Sequence, residues 1–425
     1  MRDLTNNDTF YMRYIQKTFF ELVKAYNFQV VDPSPLELLS TLEAKSGPSI
    51  INEIYGFMDK GGRNIALRYD LTVGMTRFAT SRRDMRIPVK LATFGGVWRY
   101  DEPQAGRYRY FHQWDIEIYD NFSLDSDAET IEFVSNFFLK LGFGDSIIIE
   151  ISDRRIIEEY IKANFKIQDE NMLTEIFRAI DKVPKKGIQN VCDEYKGSFD
   201  QNILRDLLEF SKIKGDIDSI KSNPKISNLE SIKYLEKLFL SLRYRNVNNI
   251  RINLGIVRGL DYYSGMVFEV FDNESNVGSL VGGGRYDKLP IVFGRSDIGA
   301  AGAAGGVERI ILALQSHKNI VPSEENNLIY IANSGNDVRK HVLKLGNFLR
   351  KKKYCIEYDF SNKALKKQLS EASAKSAKLV LIIGPEEIAI GKVRIRNMET
   401  GSEFLEDLNG IENRISSILV QSQHF

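Results

Sequence analysis

The segment between residues 94 and 117 has the highest density of side chains that could take part in chemistry. Its second half has a β-like pattern, and on a strand every second side chain points to the same face. One face would then carry a cation, an aromatic ring, an amide and two carboxylates: Arg109, Phe111, Gln113, Asp115 and Glu117. The opposite face would carry Tyr110, His112, Trp114 and Ile116. The first set suits a ligand with an aromatic base, a polar head and a positive amine; the alternative is an exposed sheet face with scattered polar residues.

Arg99 lies across from this strand, at the end of a run (89–100) that leads into the turn-rich loop 101–107. Two strands joined by a polar loop predict an antiparallel hairpin. A guanidinium group binds phosphate oxygens through two parallel hydrogen bonds and keeps its charge, so Arg99 is a candidate phosphate ligand. A surface arginine or an ion-pair partner is the ordinary alternative.

Two glycine-containing segments follow later in the chain. The sequence RGLDYYSG (258–265) places an aspartate and two adjacent tyrosines between two glycines, with an arginine before the first, and the glycines allow close approach of the backbone to a ligand. Tyrosine pairs are otherwise common in cores and at their rims. The sequence GGGRYD (282–287) lacks the Walker A lysine and the dinucleotide-binding spacing, and a triple glycine alone more often marks a bulge or a tight strand contact.

Two further segments carry candidate ligand-binding groups. The sequence GGVER (305–309) opens an apolar helix, and Arg309 could stack on a nucleotide base. In 68–72, Asp70 and Thr72 offer acceptors that suit an ammonium group. A strand-end aspartate followed by a helix-capping threonine would explain the same pair structurally.

The spacing of hydrophobic residues divides the chain into parts with different predicted secondary structure. Helices are predicted at 11–25 and 36–43, and short strands at 28–31, 65–69, 89–100 and 110–119. Residues 155–245 are rich in Lys, Glu and Asp with Leu and Ile at helical spacing, which predicts a helical insertion. Strands return at 250–254 and 266–271, followed by a small-residue stretch and an apolar helix within 299–315. After a linker near Pro322, alternating strands and helices predict a small α/β domain with a largely parallel sheet.

The amino-acid composition argues against several classes of protein and of binding site. The 425 residues, 43% hydrophobic and 27% charged, indicate a globular protein of two to four domains. Two distant cysteines and four unclustered histidines favour neither a disulfide framework nor a zinc site, and we expect no metal ligands in the protein. The polar start and the absence of a run of roughly 20 apolar residues predict a cytoplasmic protein without membrane segments. Residues 326–425 carry 16 Lys and Arg against 11 Asp and Glu, a modest excess that suits a polyanion.

Taken together, these segments resemble the class II aminoacyl-tRNA synthetases, and among them the histidyl-tRNA synthetase family. The RGLDYYSG and GGGRYD segments resemble the two histidine-specific signatures, and FGGVWRYDEPQAGRYRYFHQWDIE resembles motif 2. GGVERIILAL resembles motif 3, and the region around Pro35 and Glu37 resembles motif 1. The segment GPEEIAIGKVRIRNMETG resembles part of the family's anticodon-binding domain, whereas the helical middle matches only in position and size.

The resemblance implies an α+β fold: an antiparallel six- or seven-stranded sheet flanked by helices, a helical insertion and a C-terminal α/β anticodon-binding domain. The implied boundaries are 1–150 and 247–321 for the two parts of the catalytic domain, 151–246 for the insertion and 326–425 for the anticodon-binding domain. The implied activity is ligation of histidine to tRNA(His) with ATP and Mg²⁺, by a homodimer formed through motif 1.

The resemblance also implies roles for individual residues. Arg99 and Arg258 would be catalytic, with Arg99 on the α-phosphate of ATP. The other ATP-binding residues would be Arg109, Phe111 and Arg309, of which Phe111 and Arg309 sandwich the adenine. The histidine-binding residues would be Asp70, Thr72, Gln113 and Glu117, around the ammonium group, and Tyr262 and Tyr263, around the imidazole. Asp70 stands where many relatives carry glutamate, and its side chain is shorter by a methylene group.

Two other functions remain open at this point. A synthetase-like regulatory subunit of histidine biosynthesis would bind histidine without ligase activity, but such paralogues typically lose the ATP-contacting arginines and the anticodon domain. A pure RNA-binding module would not need a row of cations and carboxylates on one sheet face.

Overall fold

A computed structural model describes residues 3–46, 48–100, 106, 108–257, 263–317, 327–335 and 337–421. The chain forms two compact units, Met1–Val321 and Pro322–Phe425. Among the described residues, no helix has the length and apolar character needed to cross a membrane.

The first unit begins with helices and strands in alternation. They are α1 (Asn6–Ala25), β1 (Gln29–Val30), β2 (Leu36–Leu38), α2 (Leu39–Ser46), β3 (Gly56–Met58), β4 (Asn64–Leu67), α3 (Thr72–Ser81), β5 (Val89–Trp98), β6 (Tyr110–Asp120), α4 (Leu124–Leu141) and β7 (Ile147–Asp153). Thr5 starts α1 through a capping box with Asp8, whose backbone N–H donates to the threonine hydroxyl. The helix then buries Ile15, Phe19 and Leu22 at the spacing of one helical face.

A mainly helical segment follows. It contains α5 (Arg154–Phe165), α6 (Glu170–Lys186), α7 (Ile188–Glu194), α8 (Gln201–Phe210), β8 (Lys214–Gly215), α9 (Ile217–Lys221) and α10 (Glu230–Tyr244). The unit is completed by β9 (Ile250–Asn253), β10 (Met266–Asp272), β11 (Val281–Arg285), α11 (Lys288–Val292), β12 (Gly299–Gly306) and α12 (Val307–Ser316).

Nine of these strands form one sheet in the order β1-β5-β6-β12-β11-β10-β7-β9-β8. The six strands from β5 to β7 in that order are antiparallel to their neighbours, whereas β1 pairs with β5 and β9 pairs with β7 in parallel. The α+β class expected from the sequence is therefore confirmed, and the sheet has more strands than the family resemblance implied. The antiparallel hairpin of β5 and β6 is also confirmed.

The helix predicted at 36–43 is partly wrong. Leu36–Leu38 is a strand that pairs with β4 in a separate three-stranded sheet, and the helix begins only at Leu39. The side chains of Leu36 and Leu38 are exposed while Glu37 between them is buried, which is the alternation of a strand.

The second unit contains β13 (Leu328–Asn333), α13 (Arg339–Lys351), β14 (Cys355–Tyr358), α14 (Leu365–Ala374), β15 (Leu379–Ile383), α15 (Pro385–Ala389), β16 (Lys392–Asn397), β17 (Glu403–Asp407) and α16 (Ile411–Gln421). Its sheet has the order β14-β13-β15-β16-β17. The expectation of a largely parallel sheet is wrong: β13 is parallel to β14 and β15, but the last two pairings are antiparallel. The turn between β16 and β17 is too short for a crossover, so the chain folds back as a hairpin.

Candidate active site

A cavity of about 1770 Å³ lies on one face of the nine-stranded sheet. A row of paired residues crosses this face from strand to strand: Asp115, Ala304, Gly282, Glu269, Glu150 and Arg251. Five strand spacings separate its ends, which corresponds to roughly 24 Å. The cavity is thus a long trough whose two ends are formed by different strands.

The hairpin end of the trough is the part lined by Arg99, Phe111, Gln113 and Arg309. The side chains of β6 alternate as the sequence predicts: Phe111, Gln113 and Glu117 line the cavity, while Trp114 and Ile116 pack into the main hydrophobic core on the other face. Gln113 and Glu117 are almost fully buried, at 4% and 1% exposure. Residues of this polarity buried beside open space indicate a binding surface.

The guanidinium group of Arg99 is held in a fixed orientation at this end. Its Nε donates to the carbonyl oxygen of Tyr69 at 2.9 Å, and its Nη2 lies 3.5 Å from Oε1 of Gln113. The Arg99 Cζ atom lies 5.1 Å from the centre of the Phe111 ring. The arginine, the ring and the amide therefore face one space.

Asp115 orients two neighbouring side chains from beneath the cavity. It is fully buried, and its carboxylate accepts from Oγ1 of Thr72 at 3.0 Å and from Nε2 of Gln113 at 2.7 Å. Because Thr72 uses its hydroxyl proton on Asp115, its oxygen can accept from a positively charged ligand group. The Gln113 Oε1 atom already faces Arg99 and has one further lone pair for such a group.

Asp70 has both the structural position and the ligand-facing position that the sequence allows for it. Its Oδ1 accepts from the backbone N–H of Val73, in the first turn of α3, at 3.2 Å, whereas Thr72 lies inside the helix and does not cap it. At the same time Asp70 and Thr72 line the cavity and are both buried.

The remaining site residues from the sequence differ in placement. Tyr263 lines the cavity with its ring edge-on to Tyr286, at 6.1 Å between ring centres. Arg309 lines it as well, and its Nη1 donates to the carbonyl oxygen of Ser279 at 2.8 Å. Arg109 is not among the lining residues; its guanidinium lies 4.4 Å from the centre of the Tyr100 ring. Arg258 and Tyr262 lie outside the described residues.

Glu308, which the sequence reading did not single out, connects the two halves of the hairpin end. Both carboxylate oxygens accept from the backbone N–H of His112, at 3.0 and 2.9 Å, and Oε1 is also 3.0 Å from Nδ1 of the same residue. The pairing of β6 with β12 ends at Gln113 and Gly306. The backbone N–H of His112, the preceding residue of β6, therefore has no partner on β12, and the Glu308 carboxylate accepts from it instead. The sequence neighbours of this pair, Phe111 and Arg309, are thereby held at a fixed separation.

Arg285 of the GGGRYD segment does not line the cavity. It is buried and binds Asp127 of α4, with 2.7 Å between its Nη2 and the Asp127 Oδ1. Burial raises the pKa of Asp127 to about 6, although Arg285 and the Tyr234 hydroxyl act in the opposite direction. This signature arginine stabilises the packing of α4 on the sheet.

Comparisons with known proteins agree over the whole chain. Residues 1–310 match the family model described as histidyl-tRNA synthetase, and residues 321–417 match the model described as anticodon binding domain. The curated histidine–tRNA ligase of Pyrococcus horikoshii is 31% identical over 98% of this chain and 98% of its own length. That of Saccharolobus solfataricus is 31% identical over 99% of this chain and 98% of its own.

Solved structures share the fold at lower identity. A histidyl-tRNA synthetase from Nostoc sp. PCC 7120 has a TM-score of 0.79 at 23% identity and covers 98% of this chain and 97% of its own. A Bacillus halodurans chain described as an ATP phosphoribosyltransferase regulatory subunit/histidyl-tRNA synthetase has a TM-score of 0.72 at 18% identity, covering 90% and 97%. On the match of residues 1–310 and the relatives at 31% identity, the chain belongs to the histidyl-tRNA synthetase family.

Proposed function

We propose that the protein is a histidine–tRNA ligase, which activates histidine with ATP and transfers it to the 3′ end of tRNA(His). The observation that carries the proposal is the hairpin end of the trough, where a fixed guanidinium, an aromatic ring and buried acceptors face one space. That combination suits a nucleotide phosphate, a base and an ammonium group brought together.

In the first step, a carboxylate oxygen of histidine attacks the α-phosphorus of ATP. The bond to the bridging oxygen breaks, and histidyl-adenylate and pyrophosphate are formed. The nucleophile is already ionised, so the protein supplies alignment and positive charge instead of a general base. Arg99, fixed by the Tyr69 carbonyl, neutralises the phosphoryl oxygens from one side. Arg258 is proposed to act from the other side, on the family resemblance alone.

The nucleotide base is proposed to lie between Phe111 and Arg309. Stacking between a base and an aromatic ring or a guanidinium plane needs two parallel faces at a constant separation. Glu308 provides that separation by tying the backbone of His112 to the first turn of α12. Arg109, on the Tyr100 ring, is proposed as an additional ATP contact from the neighbouring loop.

The histidine ammonium group is proposed to be bound by Asp70, Thr72, Gln113 and Glu117. Support comes from Asp115, which accepts from the Thr72 hydroxyl and from the Gln113 amide, so that the Thr72 oxygen is left for the ligand and the Gln113 oxygen would be shared between the ligand and Arg99. Tyr262 and Tyr263 are proposed to line the imidazole pocket.

Mg²⁺ is proposed as the metal that accompanies ATP. No group of three His, Cys, Asp or Glu side chains with metal-binding geometry is found within the described residues. Mg²⁺ usually takes only one or two protein carboxylates and keeps several waters, so it does not need such a group. When bound, it would shield the charge of the β- and γ-phosphates.

A homodimer is proposed on the basis of an apolar face on the three-stranded sheet. Cross-strand partners there share one side: Leu38, Ile65 and Phe57 in one row, and Leu36 and Leu67 in the next. Leu36, Leu38 and Phe57 are between 42% and 49% exposed. Contiguous exposed apolar residues of this kind mark protein interfaces. Sedimentation should give a dimer mass for the natural chain and a monomer mass for Phe57→Asp; a monomeric natural chain would contradict the proposal.

The organisation of the first unit supports an insertion. Strands β7 and β9, which flank the helical segment, are parallel neighbours in the main sheet. We therefore propose that 151–246 is inserted into a catalytic domain formed by 1–150 and 247–321, followed by an anticodon-binding domain at 326–425. A tRNA substrate implies the compartment of translation, so we propose a cytoplasmic location, which cell fractionation would test.

The deciding experiment is ATP–pyrophosphate exchange without tRNA, with each of the twenty amino acids in turn. Exchange that depends on histidine alone is expected. A regulatory histidine-binding subunit, the alternative from the sequence, would bind histidine without exchange. Retention of Arg99 and Arg309 at the cavity, together with the match to the anticodon binding domain, favours the ligase.

A further inference from the structure

The outer edge of β5 is held at the hairpin end by Arg68. Strand β1 pairs with β5 at Leu91 and Ala92, near the start of β5. Further along the same edge, the backbone N–H of Trp98 donates to the carbonyl oxygen of Arg68 at 3.0 Å, and the carbonyl oxygen of Gly96 accepts from Nε of Arg68 at 2.8 Å. Polar backbone groups in a folded protein need such partners, and the backbone and side chain of Arg68 supply one each. Arg68 therefore attaches its own segment of the chain to the end of β5.

The guanidinium group of Arg68 occupies a space that a glycine leaves open. Arg68 is only 7% exposed, and its Nη1 donates to the carbonyl oxygen of Pro33 and lies 3.2 Å from Oδ1 of Asp32. A Cβ atom at Gly95 of β5 would lie 2.5 Å from Nη2, so this position of the guanidinium requires glycine there. The planar fork thus joins the carbonyl of Pro33 to that of Gly96, with Nη2 against the bare backbone of β5.

Arg68 directly precedes the residue that orients the proposed catalytic Arg99. The carbonyl oxygen of that residue, Tyr69, accepts from Nε of Arg99 at 2.9 Å. Arg99 itself follows Trp98, whose N–H is bound by Arg68. The backbone on which the Arg99 guanidinium rests and the backbone from which its side chain starts are therefore joined by the same residue. A displacement of about 1 Å in a catalytic group can cost roughly a hundredfold in rate, so the contacts of Arg68 matter for the orientation of Arg99.

We propose that Arg68 is a positioning residue for the activation of histidine. By bridging the carbonyl groups of Pro33 and Gly96, it fixes the backbone that follows it. The Tyr69 carbonyl in that backbone then holds the Arg99 guanidinium toward the α-phosphate. Arg68 is not among the described residues that line the cavity, so it acts through Arg99 and not on the ligand. The inference rests on the proposed function, which gives Arg99 its role.

A double-mutant cycle in histidine-dependent ATP–pyrophosphate exchange tests this role. Arg68→Lys keeps the charge but loses the planar fork. It should lower kcat roughly tenfold to a hundredfold and change the KM for ATP by less than about threefold, because a tilted Arg99 loses contact chiefly with the charge of the transition state. In the Arg99→Lys background the same substitution should lower kcat by less than about twofold, because the group through which Arg68 acts is already replaced.

Gly95→Ala tests the same contact without changing Arg68, because the added methyl group would displace the guanidinium. It takes the place of Arg68→Lys in the cycle should that variant fail to fold, and the same non-additive loss is expected. Arg77→Lys is the matched control. Its fork lies on Glu37, with 3.0 Å from Nε to each carboxylate oxygen, and its replacement should leave kcat unchanged.

Equal losses of kcat with and without Arg99 would show that Arg68 acts independently of it and would overturn the proposal. A natural kcat in the folded variants, with only the urea midpoint lowered, would reduce Arg68 to a stabilising residue and would overturn it as well. Absence of histidine-dependent exchange in the natural chain would instead refute the proposed function.

Discussion

Replacing Arg285 by methionine tests whether a signature arginine stabilises the fold instead of contacting a ligand. Its Nη2 donates to the Ser123 carbonyl oxygen at 2.6 Å and to Oγ of Ser126 at 2.7 Å, beside the ion pair with Asp127. Its Nη1 also donates to Asp287 at 3.1 Å. Methionine has a similar volume but fills the site without any of these donors.

The magnitude follows from the burial of Asp127. This carboxylate is fully buried, and burial raises its pKa to about 6 even with Arg285 present. Removing one partner of a buried ion pair leaves an uncompensated charge and typically costs about 3–5 kcal/mol. We expect Arg285→Met to lower the free energy of unfolding by that amount. Adding Asp127→Asn should return much of the loss, because the unpaired charge is then gone while an acceptor remains for Tyr234.

Urea unfolding of the two single variants and the double variant measures this coupling. Arg309→Met is the matched control: it should raise the KM for ATP and change the unfolding free energy by less than about 1 kcal/mol. The reasoning would be refuted if Arg285→Met unfolded like the natural chain but lost exchange activity. Arg285 would then be a ligand-binding residue.

The same pair has a predictable pH dependence. The pKa of Asp127 in the folded protein, about 6, is above its ordinary value of 3.8, so the folded state binds this proton more tightly than the unfolded state. Its contribution to stability is therefore largest near pH 4, falls as the pH rises to about 6, and is constant above that. The unfolding free energy of the natural chain minus that of Asp127→Asn should fall by roughly 3 kcal/mol across this window. A flat difference curve would contradict the raised pKa.

The proposed activation of histidine is tested by three single substitutions. Glu308→Ala removes a hydrogen-bonded connection worth about 1.5 kcal/mol and should therefore raise the KM for ATP roughly tenfold without changing the KM for histidine. Glu308→Gln should recover part of the affinity for ATP. A change in the KM for histidine alone would instead show that Glu308 contacts the ligand directly. Phe111→Ala should raise the KM for ATP, since stacking contributes roughly 1–3 kcal/mol per base, and an unchanged KM would count against the sandwich. Arg258→Ala should nearly abolish pyrophosphate exchange with the fold intact by circular dichroism, whereas near-normal exchange would remove its assigned role.

The features that the sequence predicts well are those with local periodicity. The two faces of β6 follow from alternation, because one face must pack in the core and the other must not. The spacing of apolar residues predicts a helix from residue 36, but Leu36–Leu38 is held as a strand by its pairing with β4 and the helix begins at Leu39. Strand β17 has only weak signals of its own and is defined by its pairing with β16.

Contacts between distant parts of the chain could not be predicted in this way. Glu308 and His112 are 196 positions apart, and their hydrogen bond exists because β12 ends where α12 begins. Arg285 and Asp127 are 158 positions apart. In both pairs the sequence shows a charged residue next to glycines but does not show whether its side chain points to the cavity or to the core. Of the residues that the resemblance assigns to ATP, Arg109 contacts the Tyr100 ring and does not line the cavity.

The glycine-rich strands explain how one trough can serve chemically different ends. On the cavity face, β11 and β12 present mainly glycine and alanine, so the middle of the sheet has almost no side chains above it. The space is needed by neighbours as well: a Cβ atom at Gly302 would lie 1.8 Å from Oε2 of Glu117. Among the strands of the sheet, side chains that recognise ligands must therefore come from β6 on one side and from β10, β7, β9 and β8 on the other. The bare floor thus leaves one continuous space in which a ligand bound at the hairpin end meets no side chain from β11 or β12 on the sheet beside it.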